Sequence, residues 1–81
     1  MREIEFKMEN EYGQIKEGAV VTVEEGYLQD GLVVYYTIAP AVAMSKNFTR
    51  QEALKSREGT VTDVTQDKES GAFYVTVAFD E

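Results

Sequence analysis

Val21-Thr22-Val23-Glu24-Glu25-Gly26-Tyr27-Leu28-Gln29-Asp30-Gly31-Leu32-Val33-Val34-Tyr35-Tyr36-Thr37-Ile38 is the stretch on which the fold turns. An Asp-Gly pair stands between two runs of β-branched and aromatic residues. Both turn residues of the tightest hairpin need positive φ, which aspartate and glycine supply most readily, so this pattern predicts two antiparallel strands. The first strand is expected over 19–25, with Ala19, Val21 and Val23 on one face and Val20, Thr22 and Glu24 on the other. The second runs over 32–38, with Leu32, Val34, Tyr36 and Ile38 pointing one way and Val33, Tyr35 and Thr37 the other. Both of its faces are largely apolar, which places it either centrally in a sheet or at an interface.

Outward from this hairpin the same period of two recurs. Residues 2–9 alternate strictly, Ile4, Phe6 and Met8 against Glu3, Glu5, Lys7 and Glu9, as a half-buried strand does. Residues 10–18 are polar and carry Gly13 and Gly18, so they read as a loop from which Tyr12 or Ile15 folds back over the core. Beyond the hairpin, Pro40 marks an edge or a bend, and Ala41–Met44 is compatible with a short strand or an irregular packed stretch. Thr49-Arg50-Gln51-Glu52 has the form of a capping box, which predicts a helix of about two turns ending near Arg57, before Gly59. Ala53 and Leu54 are its expected buried residues, with Phe48 stapling its entry.

The last third returns to strands over 60–66 and 72–79, joined by a polar turn around Lys68-Glu69-Ser70-Gly71. Phe73, Val75, Val77 and Phe79 share one face of the final strand. Val61 and Val64 are three apart, so both reach the core only if a bulge falls near Thr62-Asp63. Gly59-Thr60-Val61-Thr62-Asp63-Val64, followed after the turn by Val75-Thr76-Val77-Ala78-Phe79-Asp80, resembles the final hairpin of small SH3-like barrels, including the KOW-type modules of translation and transcription factors. Gly18-Ala19-Val20-Val21-Thr22-Val23 is similar to the opening strand of that fold. The resemblance covers about half of the chain and implies a small barrel and an association with RNA.

These patterns predict one mainly β domain over residues 1–81: a small antiparallel SH3-like barrel, or a strongly bent sheet, of five or six strands with one short helix near 50–57. An OB-type barrel, or an α+β roll with the helix on one face of the sheet, is the alternative architecture.

Composition narrows the chemistry. The 81 residues contain no histidine and no cysteine, which removes imidazole bases, thiolate nucleophiles and zinc-thiolate sites. Ser45, Ser56 and Ser70 therefore have no imidazole to activate them. The many carboxylates fall on outward strand positions or in turns, where solvation explains them better than glycosidase-type catalysis does. Asp63, Asp67 and Glu69 lack the central glycine of a calcium loop, and the glycines follow no phosphate-loop spacing. The expectation is a non-catalytic protein with no metal and no cofactor.

Net charge is −7, yet segment 41–57 sets four cations, Lys46, Arg50, Lys55 and Arg57, against Glu52 alone, and the remainder carries −10. An acidic body disfavours nucleic acid and anionic membranes at long range, and 31–45, the longest uncharged run, is too short to span a bilayer. The N-terminus alternates charge with apolar residues where an export signal needs an apolar run, so a cytoplasmic protein is expected.

The function read from the sequence is an interaction module that binds another protein or itself, through Val33, Tyr35 and Tyr74 together with Lys46, Arg50, Lys55 and Arg57. Tyrosine suits such a surface because it offers large area for little lost rotamer entropy. Val33 and Tyr35 would join Tyr74 in one patch if their strands are neighbours. The basic stretch of one copy would meet the acidic body of another in a salt-sensitive association. An RNA-associated barrel using the basic 46–57 segment is the competing class, and a small-molecule pocket lined by Tyr27, Tyr36 and Met44 is a third.

Overall fold

The computed structural model describes residues 1–39 and 43–81. Its strands are β1 (Arg2–Met8), β2 (Val20–Leu28), β3 (Val33–Ala39), β4 (Ala43–Ser45), β5 (Phe48–Thr49), β6 (Glu58–Gln66) and β7 (Phe73–Phe79), and all of their pairings are antiparallel. The sequence pattern predicts five or six strands; seven form among the described residues, because the segment after β3 makes two short ones. Pro40, Ala41 and Val42, where a bend and the start of a short strand were expected, lie outside the described residues.

The alternation in sequence becomes alternation in burial. Ile4, Phe6 and Met8 of β1, Val21 and Val23 of β2, and Val75, Val77 and Phe79 of β7 all enter one apolar core, joined by Val34, Tyr36 and Ile38 of β3. Ile15 is buried and Tyr12 packs against the same core, so the polar loop over 10–18 does close over it.

Strand order is β2-β6-β7-β1-β4-β3-β5, and β2 also pairs with β3, so the pairings close on themselves. The closure happens within β2. Its first residues pair with β6 and its last with β3, and Thr22 has a partner on each side, Glu58 and Ala39. On β6 the register jumps between Val61↔Val77 and Asp63↔Thr76, which leaves Thr62 as the extra residue of a bulge where the spacing of Val61 and Val64 required one. At Gly59, where β6 lies between β2 and β7, a Cβ would meet Val77 Cγ1 at 2.6 Å and the Ala78 carbonyl at 2.9 Å, so only glycine allows the strands to approach this closely.

The β2–β3 hairpin forms, but with a wider turn than a two-residue one. Leu28↔Val33 is its last pair, and Gln29, Asp30 and Gly31 all have positive φ, at 52°, 56° and 88°. Leu32, expected on the inner face of β3, is a turn residue that is 67% exposed.

The helix expected near 50–57 is not there. The Glu52 carboxylate accepts from both the Thr49 amide and the Thr49 hydroxyl at 3.0 Å, yet only a single 3-10 turn follows, Arg50–Glu52, and Ala53 is already extended at φ −60°, ψ 144°. Tertiary acceptors take the amides a helix would use: the Tyr36 hydroxyl binds the Leu54 amide, and the Glu81 carboxylate binds those of Lys55 and Ser56. Among the described residues no helix is long and apolar enough to cross a membrane.

Candidate interaction cleft beside the open edge of β1

Every strand has two edges, and those of β1 are used unequally. β7 pairs with it from Arg2 to Met8, whereas β4 on the other side reaches only Phe6, Lys7 and Met8. The reason lies in the segment from Ala43 to Thr49, which follows β3. It pairs first as Ile38↔Ala43 and Thr37↔Met44, then as Val34↔Phe48 and Val33↔Thr49, a shift of one residue absorbed between Ser45 and Phe48. The Ser45 hydroxyl fills the gap, accepting from the Tyr36 amide and donating to the Lys46 carbonyl, both at 2.8 Å. The segment stays with β3 and leaves β1, so Arg2–Glu5 has no strand on that edge among the described residues.

A cleft of about 670 Å³ occupies this place. The outward side chains Glu3, Glu5 and Lys7 lie along it, with Tyr74 of β7 on one side and Met44 and Lys46 on the other. Phe48 lies at the end of the cleft near Arg2, whose guanidinium carbon is 5.4 Å from the ring centroid; the Lys46 ammonium is 5.5 Å from it. Arg2 also pairs with Glu81 at 3.5 Å. Met44, 47% exposed, is the large apolar side chain presented here.

A second constellation caps the core beside Phe48, whose ring centroid is 6.2 Å from that of Tyr36. Glu25 follows Val21 and Val23 on the inner face of β2 and faces its cross-strand partner Tyr36, which is fully buried. The Tyr36 hydroxyl donates to Glu25 and accepts from the Leu54 amide, both at 2.6 Å; the Tyr27 hydroxyl donates to the other Glu25 oxygen, and Arg57 stands 3.3 Å away. Burial raises the Glu25 pKa, but the hydroxyls of Tyr27 and Tyr36 and the charge of Arg57 outweigh it and leave the carboxyl below its ordinary value. Burial and the bond to Glu25 raise the Tyr36 phenol. This network ties β2 and β3 to the 53–57 segment, and each of its polar groups has a partner.

The residues singled out from sequence are thus dispersed. Val33 and Tyr35 lie half-buried on β3, where the Tyr35 ring covers Gly26 so closely that a Cβ there would collide with it. Tyr74 is elsewhere, because β4 and β1 separate β7 from β3, and the Val33-Tyr35-Tyr74 patch does not form. Nor do the cations make a stripe. Lys46 is in the cleft, Arg50 donates to the Gly31 carbonyl at 3.1 Å, Arg57 is bound to Glu25 and the Leu54 carbonyl, and Lys55 is exposed with its amide on Glu81. Among the described residues Tyr27, Tyr36 and Met44 are not brought together: both tyrosines serve Glu25, and Met44 borders the cleft by β1. Arg2 and Glu25 are not among the residues that the sequence pattern singles out. For Glu25 a signal existed, since it continues the inward period of Val21 and Val23.

No family model, curated protein or solved structure matches this chain.

Proposed function

We propose that the chain is a non-catalytic, cytoplasmic interaction module, a small barrel of the SH3-like kind that docks another protein in the cleft beside Arg2–Glu5. The ring of strand pairings and the bulge at Thr62 support the barrel reading, since a closed sheet needs strands that bend at defined points. The observation that carries the functional reading is the unpaired β1 edge next to a cleft whose volume falls within the 300–1,000 Å³ or so of ligand-binding clefts. Tyr74 and Phe48 offer aromatic surface there, and Met44 offers an adaptable apolar one.

A photo-crosslinking amino acid placed at Tyr74, with a control at Glu24 on β2 across the ring from β1, tests this in cell extract. Protein adducts from position 74 and none from 24 are expected. Equal adducts at both positions, or none at 74, would contradict the reading.

One observation favours a second reading, the RNA-associated barrel: Arg2 and Lys46 flank the Phe48 ring, as cations and an aromatic do where a base stacks. Glu3 and Glu5 in the same cleft oppose it. Retention on immobilised RNA at low salt, abolished by Lys46→Glu, would favour this alternative over a protein partner.

A further inference from the structure

We infer that the partner enters as an extended strand added to Arg2–Glu5, and that it carries basic residues at alternate positions; this rests on the interaction-module reading above. An unpaired strand edge offers main-chain N–H and C=O groups in a row, and the chemistry that satisfies them is another extended backbone. The open stretch is four residues long, about 13 Å at the usual rise of a strand. It ends where β4 begins to pair at Phe6, so an added strand would continue the line of β4.

Charge then selects the sequence of that strand. Glu3 and Glu5 point outward from β1 and are exposed, and side chains directly opposite each other across an antiparallel pair share a face. The outward positions of the incoming strand therefore meet the carboxylate of Glu5 and that of Glu3, which also accepts from the Thr62 hydroxyl at 3.4 Å, while its inward positions face Ile4 and the Phe48 end of the cleft. The cations nearby are already engaged: Lys7 pairs with Glu9 at 3.8 Å, Arg2 with Glu81, and Lys46 lies over Phe48. A second copy of the chain is the wrong partner for this edge. Two β1 strands related by a two-fold axis keep their outward faces together, which sets Glu3 and Glu5 of one copy against Glu3 or Glu5 of the other.

The test uses the intact chain and two blocked hexapeptides, one alternating lysine with valine and one alternating glutamate with valine. Backbone amide shifts and hydrogen exchange are followed by NMR, together with the variant E3K/E5K, whose fold is checked by its own spectrum. The lysine peptide is expected to bind and to slow alternate amides within Arg2–Glu5. The glutamate peptide is expected to bind about tenfold or more weakly, and the preference to invert in the variant. Equal affinity for the two peptides, no binding of either, or a dimer of the free chain that protects Arg2–Glu5 would each overturn strand addition by a basic segment. Shifts confined to Tyr74, Met44 and Phe48, with no new protection in β1, would overturn strand addition while leaving the cleft as a protein-binding surface; a cleft that neither peptide perturbs, with no adducts from position 74, removes both.

Discussion

At the scale of single residues, Tyr36 does the most. Its ring fills the core and its hydroxyl both donates to Glu25 and accepts from the Leu54 amide, so Tyr36→Phe keeps the packing, leaves the Leu54 amide without its acceptor and removes one of the donors to Glu25. A buried group left without its hydrogen bond costs about 1–3 kcal/mol, and urea unfolding of this variant is expected to show a loss of that order. Glu25 gives the matching pH dependence. Its folded pKa lies below the ordinary 4.5, so near that pH the unfolded chain binds more protons than the folded one. The stability it contributes is complete above the unfolded value and disappears as pH falls through the folded one. Glu81, bonded by two backbone amides, is lowered as well and acts with the same sign. Unfolding curves at a series of pH values should show a shallower acid-side loss for Glu25→Gln than for the unaltered chain, together with lower stability at neutral pH. An identical slope would mean that Glu25 does not carry this dependence. Glu25 was readable in part, since its parity with Val23 directs it inward; its partners were not, because Arg57 lies 32 residues further along the chain.

At the scale of elements, alternation was a sufficient guide to strands and an insufficient one to the stretch between them. β1 and β7 follow their period of two within a residue or so at each end, and even the bulge at Thr62 was implied by the spacing of two valines. The 50–57 helix failed for a definite reason: its N-terminal signal was met locally by Glu52 and Thr49, while Tyr36 and Glu81 captured the following amides in an extended chain. Tertiary partners override propensity in this way because each captured amide is a bond a helix would otherwise have supplied. Glu81→Ala is accordingly expected to speed hydrogen exchange at Lys55 and Ser56 without creating helix in the circular dichroism spectrum. The close approach at Gly59 belongs to this scale too. Gly59→Ala places a methyl against Val77 and the Ala78 carbonyl, where overpacking costs about 1–3 kcal/mol, and thermal unfolding should register it.

At the scale of the whole molecule, the pairings that matter most join residues distant in sequence. β1 lies against β7, so the first and last strands of the chain complete one core, and Phe6 and Phe79 are both fully buried in it. Phe6→Ala is expected to cost about 3–5 kcal/mol, a large share of the roughly 5–15 kcal/mol available to a domain, and to broaden the NMR spectrum. The sequence left a barrel and a strongly bent sheet as alternatives, because closure depends on β2 changing partners at Thr22, which leaves no local mark. The cleft was illegible for the same reason: it arises where the segment after β3 parts from β1.

Amide hydrogen exchange along β1 tests that opening most directly. Successive amides of a strand point to opposite edges, so every amide directed at β7 should be slow, while those directed the other way should be slow from Phe6 to Met8 and fast from Arg2 to Glu5. Uniform protection of Arg2–Met8 on both edges would mean that the ring has no open edge there, and the account of the cleft would fall with it.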